Sequence, residues 1–166
     1  MNNIQSSFSV ENPTNQLEIL AIFTFPYDTS KLPKEFGFQV FVGPNQHTVI
    51  GYNVQERVLF TDRTLSGSED FNHNLLCVTN AHLIAENGVI QLRIFLDQNT
   101  VEVFANNRKF AMSNLIFPDS AQNKIYAYSF DGEVTLSALD TWVLNDFWPK
   151  SEALEGVSSM KEFLSK

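Results

Sequence analysis

Two short stretches carry the side chains best suited to chemistry: Asp62-Arg63-Thr64, followed by Ser66-Gly67, and Val101-Glu102-Val103-Phe104. Each sets ionic groups at or beside an extended run. An arginine and a carboxylate can form a two-bond fork. Such a fork beside a flat ring is also how a protein grips a sugar: hydrogen bonds meet the hydroxyls in plane and the apolar sugar face lies on the ring. The simpler reading is structural, a salt bridge of Arg63 or Arg93 with Glu102 beneath a loop or a neighbouring domain. Asp62 and Glu102 could serve as a paired acid and nucleophile for glycoside cleavage if two strands joined them, but nothing beyond proximity would assign those roles.

Other chemistries find little support. His47, His73 and His82 have no companion at metal-ligand spacing, and there is no cysteine pair. No glycine-rich phosphate loop and no Gly-x-Ser-x-Gly elbow occurs. Cys77 is alone, so no internal disulfide can form, and a buried inert thiol is expected. No metal or cofactor is expected.

These groups need a scaffold, and the stretch Leu92–Ala105 supplies its pattern. Two alternating runs flank Gln98-Asn99, the signature of a β-hairpin. A two-residue loop there sets Asp97 opposite Thr100, Leu96 opposite Val101 and Ile94 opposite Val103. One face is then Leu92, Ile94, Leu96, Val101, Val103 and Ala105, apolar throughout. The other carries Arg93, Phe95, Asp97, Thr100, Glu102 and Phe104. A one-residue slip would exchange the faces, so the pattern holds the register. The apolar face requires a second sheet; the mixed face is where function would sit.

The rest of the chain repeats this grammar. Runs at 17–25, 36–42, 47–54, 57–61, 108–112, 124–130 and 133–143 read as strands. Asn87-Gly88, Asn106-Asn107 and Asp131-Gly132 mark turns. The Asp131-Gly132 pair reads as a hairpin joining the last two strands, with Ile125, Ala127, Leu136 and Ala138 on one face. Residues 66–83 read as a long loop holding one short strand near Leu75 to Val78. Ten to twelve short strands without a helix before Pro149 imply an all-β sandwich of two antiparallel sheets, a lectin-like jelly roll, with a barrel as the alternative. The expected limits are a partly ordered segment at 1–16, the sandwich at 17–148 and a tail at 149–166. In that tail, Ser159 and Glu162 have capping-box spacing for a short helix.

Composition sets the outer bounds. The chain has 166 residues, 43% hydrophobic and 18% charged, with fifteen phenylalanines. A chain of that length buries roughly 70% of its unfolded surface as one domain. The net charge of -8 argues against nucleic acid and against an anionic membrane surface. No run approaches the length of a membrane span, and no basic-then-apolar leader opens the chain. As written, it reads as cytoplasmic.

Several ordered motifs resemble the C-terminal sandwich of glycoside hydrolase family 32, the family of invertases, sucrose-6-phosphate hydrolases, levanases and inulinases. They are Phe36-Gly37-Phe38, Thr48-Val49-Ile50-Gly51-Tyr52, Leu59 to Gly67, Leu92 to Asp97, Val101 to Asn106, Ile116-Phe117-Pro118 and Leu139-Asp140-Thr141-Trp142. The resemblance covers roughly 17–144. It implies that catalysis belongs to a five-bladed β-propeller, in the same or a separate chain. That propeller's Asn-Asp-Pro-Asn-Gly, Arg-Asp-Pro and Glu-Cys motifs do not occur in this sequence. The chain is therefore expected to be a non-catalytic accessory domain, with a homodimer as a further arrangement. The alternative is a binding module for terminal fructose of levan, inulin or sucrose. The resemblance points to Asp62, Arg63 and Glu102 as its polar contacts, and Phe104 or Tyr52 would give aromatic support. A parent enzyme acting on polymeric fructan would be secreted.

Overall fold

The computed structural model describes residues 8–11, 15–26, 31–67, 76–119 and 124–145. The strands run in the order β1 (Phe8–Glu11), β2 (Leu17–Thr24), β3 (Glu35–Val42), β4 (His47–Asn53), β5 (Val58–Leu65), β6 (Val78–His82), β7 (Val89–Asp97), β8 (Thr100–Ala105), β9 (Phe110–Leu115), β10 (Lys124–Phe130) and β11 (Thr135–Val143). They pair into two antiparallel sheets. One has the order β1-β10-β3-β4-β5-β6, and the other β11-β2-β7-β8-β9. The sandwich is the expected one, and the barrel is not formed.

The alternation predicts the layers. Ile19, Ala21 and Phe23 on β2, Ile90, Leu92, Ile94 and Leu96 on β7, and Val101, Val103 and Ala105 on β8 face inward and are almost wholly buried. They meet Phe36, Phe38, Ile50, Tyr52 and Leu59 of the six-stranded sheet. Phe23 touches Phe36 and Phe38 across the gap, with ring centroids 4.9 and 5.4 Å away. Each fully buried side chain of this kind contributes roughly 1.5–3 kcal/mol.

Bulges on β3 and β11 break the alternation. β3 carries one residue more than β10 between Gln39 and Val42. Phe41 there has φ 52°, so Val40 and Phe41 both turn inward. β11 bulges between Leu136 and Ala138, where Thr24 and Ser137 share a hydroxyl hydrogen bond of 2.7 Å.

Three expectations are corrected. Asp131-Gly132 does not close a hairpin: β10 pairs with β1 and β3, while β11 pairs with β2 in the other sheet. Both sides of β10 are already occupied, so the turn carries the chain from one layer to the other. Backbone bonds from Lys34 N to Phe130 O and from Glu133 N to Lys31 O fix the crossing. Second, the sandwich starts before Leu17, because Phe8–Glu11 adds an edge strand to β10. Third, β5 does not end at Thr61 but runs on to Leu65. The helix expected within 149–166 lies outside the described residues.

Candidate functional site

The hairpin forms with the expected register, Asp97 opposite Thr100, Leu96 opposite Val101 and Ile94 opposite Val103. Its mixed face is the outer face of the five-stranded sheet. Pairing across strands lays two rows over that face. One runs Asp140, Leu20, Arg93, Phe104, Ala111; the next runs Trp142, Glu18, Phe95, Glu102, Ser113. Aromatic rings and charges thus alternate over a half-exposed surface.

Arg93 is the pivot. Its Nε and Nη2 both donate to Glu18 Oε1, at 2.6 and 2.5 Å, and its guanidinium lies 5.3 Å from the Phe95 ring centroid. Phe95 and Phe104 meet edge to face at 6.0 Å and 88°. The expected bridge of Arg93 to Glu102 is not made, because β2 delivers Glu18 to the guanidinium instead. Among the described residues Glu102 accepts only a long bond, 3.5 Å, from Ser113 Oγ.

Beside Arg93 the face dips into a hollow of about 160 Å³ lined by Leu20, Gln91, Arg93, Phe104, Asn107 and Arg108. Its rim is the β8–β9 turn, where Asn106, Asn107 and Arg108 have φ of 46°, 57° and 67°. Asn106 braces that turn. Its N donates to Gln91 O at 2.9 Å, its Oδ1 accepts from Gln91 N at 3.1 Å, and its Nδ2 donates to Ile84 O at 3.3 Å. A roomier concavity near Leu32, Pro33, Lys34, Gln55 and Asp131 has no aromatic ring in its lining among the described residues.

The other singled-out residues lie elsewhere. Asp62 and Arg63 follow one another on β5, so they point to opposite faces of the six-stranded sheet. Asp62 accepts from Thr64 N at 2.9 Å and Thr64 Oγ1 at 2.7 Å. These bonds hold a bulge at which β5 gains a residue over β4. Arg63 continues the alternation of Leu59 and Thr61, faces inward and is only 7% exposed. Its Nη1 donates to Leu115 O at 2.9 Å and its Nη2 to Cys77 Sγ at 3.0 Å. No carboxylate pairs with it among the described residues. Cys77 is thus half-buried and serves as an acceptor. Tyr52 is core, 1% exposed, with its hydroxyl on Leu83 O at 2.8 Å. Asp62 and Glu102 are on outer faces of different sheets, so one sugar cannot touch Asp62, Arg63 and Glu102 together. Of the five candidates, Glu102 and Phe104 share a surface. Gln91, Asn107 and Arg108 were not singled out from the sequence. Only the left-handed turn at Asn106-Asn107 hinted at them.

The profile of the family described as "Glycosyl hydrolases family 32 C terminal" matches residues 2–143. The chain belongs to this family. Its curated relatives include a levanase of Bacillus sp. (strain L7), 37% identical over 121 residues, and the levanase of Bacillus subtilis (strain 168), 37% identical over 115 residues. Those alignments take in 73% and 69% of this chain, but only 13% and 17% of the levanases. The family 32 C-terminal domain thus spans a small part of the relatives' length. Exo-inulinase from Aspergillus awamori shares the fold at TM-score 0.73 and 21% identity, over 86% of this chain and 29% of that one. Fructan 1-exohydrolase IIa from Cichorium intybus does so at TM-score 0.68 and 13% identity, over 87% and 34%. This region corresponds to the C-terminal domain of family 32 enzymes.

Proposed function

We propose that this domain braces a catalytic β-propeller, carried in the same or a separate chain, that hydrolyses β-fructosides such as levan or inulin. The observation behind this reading is an exposed apolar rim where the two sheets end. Leu65 beyond Arg63, Val78 on edge strand β6 and Leu115 on edge strand β9 are 52, 47 and 50% exposed. Arg63 ties this rim together through Leu115 O. Three large apolar side chains around two sheet edges mark a contact surface rather than a solvated one, and a propeller is the partner that the family resemblance implies.

The test is the double variant Leu65→Asp/Leu115→Asp in the intact enzyme. The propeller should melt at lower temperature, while the 166-residue chain alone keeps its own melting point. Unchanged melting of the intact enzyme refutes the reading. Self-association of the chain abolished by the same pair would instead show the rim to be a homodimer contact. Binding of terminal fructose is the second function proposed, and the outer-face hollow favours it.

A further inference from the structure

We infer that the hollow between Arg93, Phe104 and the Asn106–Arg108 turn is a binding site for a single neutral sugar residue, the end of a chain rather than its middle. This deepens the fructose-binding reading and stands apart from the bracing role.

Strain is the first argument. Three successive non-glycine residues in the left-handed region are uncommon, and each costs on the order of 1 kcal/mol. A hairpin turn needs no arginine there. The three bonds made by Asn106 hold the turn in place, and Lys109 adds an ion pair to Glu86 at 2.6 Å. What this geometry achieves is to bring Asn107 and Arg108 to the hollow's wall beside Arg93 and Phe104.

The lining chemistry gives the ligand class. Phe104 supplies an aromatic surface for sugar C–H groups. Gln91 and Asn107 offer amides that both donate and accept, as hydroxyls require. Arg93 presents a guanidinium already oriented and largely neutralised by Glu18. Only Arg108 brings charge without an ion pair among the described residues. An oxyanion would call for several converging free cations, so a polyol fits better. About 160 Å³ holds one ring and no more. The hollow also lies at the opposite end of β9 from Leu115, so a partner on the Leu65–Val78–Leu115 rim need not cover it.

The test is calorimetric titration of the 166-residue chain with fructose, with a short levan oligosaccharide and, in parallel, with inorganic phosphate. Saturable sugar binding with Kd on the order of 1 mM is expected, since one ring offers few atoms to contact. Phe104→Ala and Arg108→Ala should each weaken it tenfold or more, with unchanged circular dichroism, while Asp62→Ala leaves it intact. Asp62→Ala abolishing the binding that Phe104→Ala and Arg108→Ala retain would place fructose elsewhere and sink this site alone. No saturable signal from any sugar would sink both the site and the fructose-binding reading. Phosphate binding in the absence of sugar binding would replace the sugar with an oxyanion.

Discussion

Arg63 on one sheet donates to the carbonyl oxygen of Leu115 on the other, 2.9 Å across the open end of the sandwich. The donor is a buried guanidinium with no carboxylate beside it among the described residues, and its Nε is buried without a hydrogen-bond partner. Thr61 Oγ1 and Asn114 Nδ2 nearby are in the same position. Removing one partner of a buried polar pair costs more than replacing the charge by an apolar group of similar length. Arg63→Lys keeps the charge but cannot span Leu115 O and Cys77 Sγ together. It should therefore destabilise by about 2–3 kcal/mol and exceed Arg63→Met. Urea unfolding of the two variants decides the order, and the reverse order refutes this account.

Gly67 lies just past that end with φ 124°, bridged to Phe117. A Cβ there would sit 1.8 Å from Phe117 O and 2.4 Å from its carbonyl carbon. Backbone must move to admit it. Gly67→Ala should lower stability by roughly 2 kcal/mol or more through strain and the lost bridge. A melting temperature within a degree of the parent would contradict the close approach.

Tyr128 donates to Glu35 Oε1 at 2.6 Å. Burial first, then the adjacent Glu35 carboxylate, pushes its hydroxyl well above the usual tyrosine range. Below about pH 10 both the folded and unfolded chains keep this proton, so its contribution is full and flat. Above that, the unfolded chain releases the proton and the folded chain does not, so stability falls by about 1.4 kcal/mol per pH unit. Tyr128→Phe should remove that share of the alkaline slope and cost roughly 1 kcal/mol at neutral pH. Parallel unfolding curves at pH 8 and pH 11 for both proteins measure it, and equal slopes would refute it. Tyr52, also raised by burial, leaves a residual slope in both.

Arg108 sits at φ 67°, where glycine carries no steric cost. Arg108→Gly should stabilise the chain by up to about 1 kcal/mol while weakening sugar binding. Stability lost together with binding would show that the arginine holds the fold instead of the ligand.

What could be read from the residues follows from how local the information is. The hairpin at Ile94 and Val103 was legible because both strands and their turn are contiguous, and a slip would invert every side chain. Asp131-Gly132 says only that the chain reverses; that β10 takes the edge of β3 and β11 the edge of β2, rather than each other's, is a long-range choice. Phe8–Glu11 is too short and polar to announce itself and owes its order to β10. At Asp62-Arg63, ending the strand at Thr61 hid that the alternation of Leu59 and Thr61 runs on through β5 and turns Arg63 inward. Glu18 could not be assigned to Arg93 before the pairing of β2 with β7 was known. Phe104 and Glu102 were legible because their neighbours Val101, Val103 and Ala105 alternate without a break.

The passage of the chain between layers at Asp131-Gly132 has a bearing on biosynthesis. Thr24 and Ser137 meet although 113 residues separate them, and β1 waits just as long for β10. Distant pairings of this kind make folding slow. An emerging polypeptide can close its local hairpins on the ribosome, but β1 and one edge each of β2 and β3 must stay unpaired until β10 and β11 have emerged. Premature termination near residue 120 would therefore leave two bare edges prone to sticking to other chains.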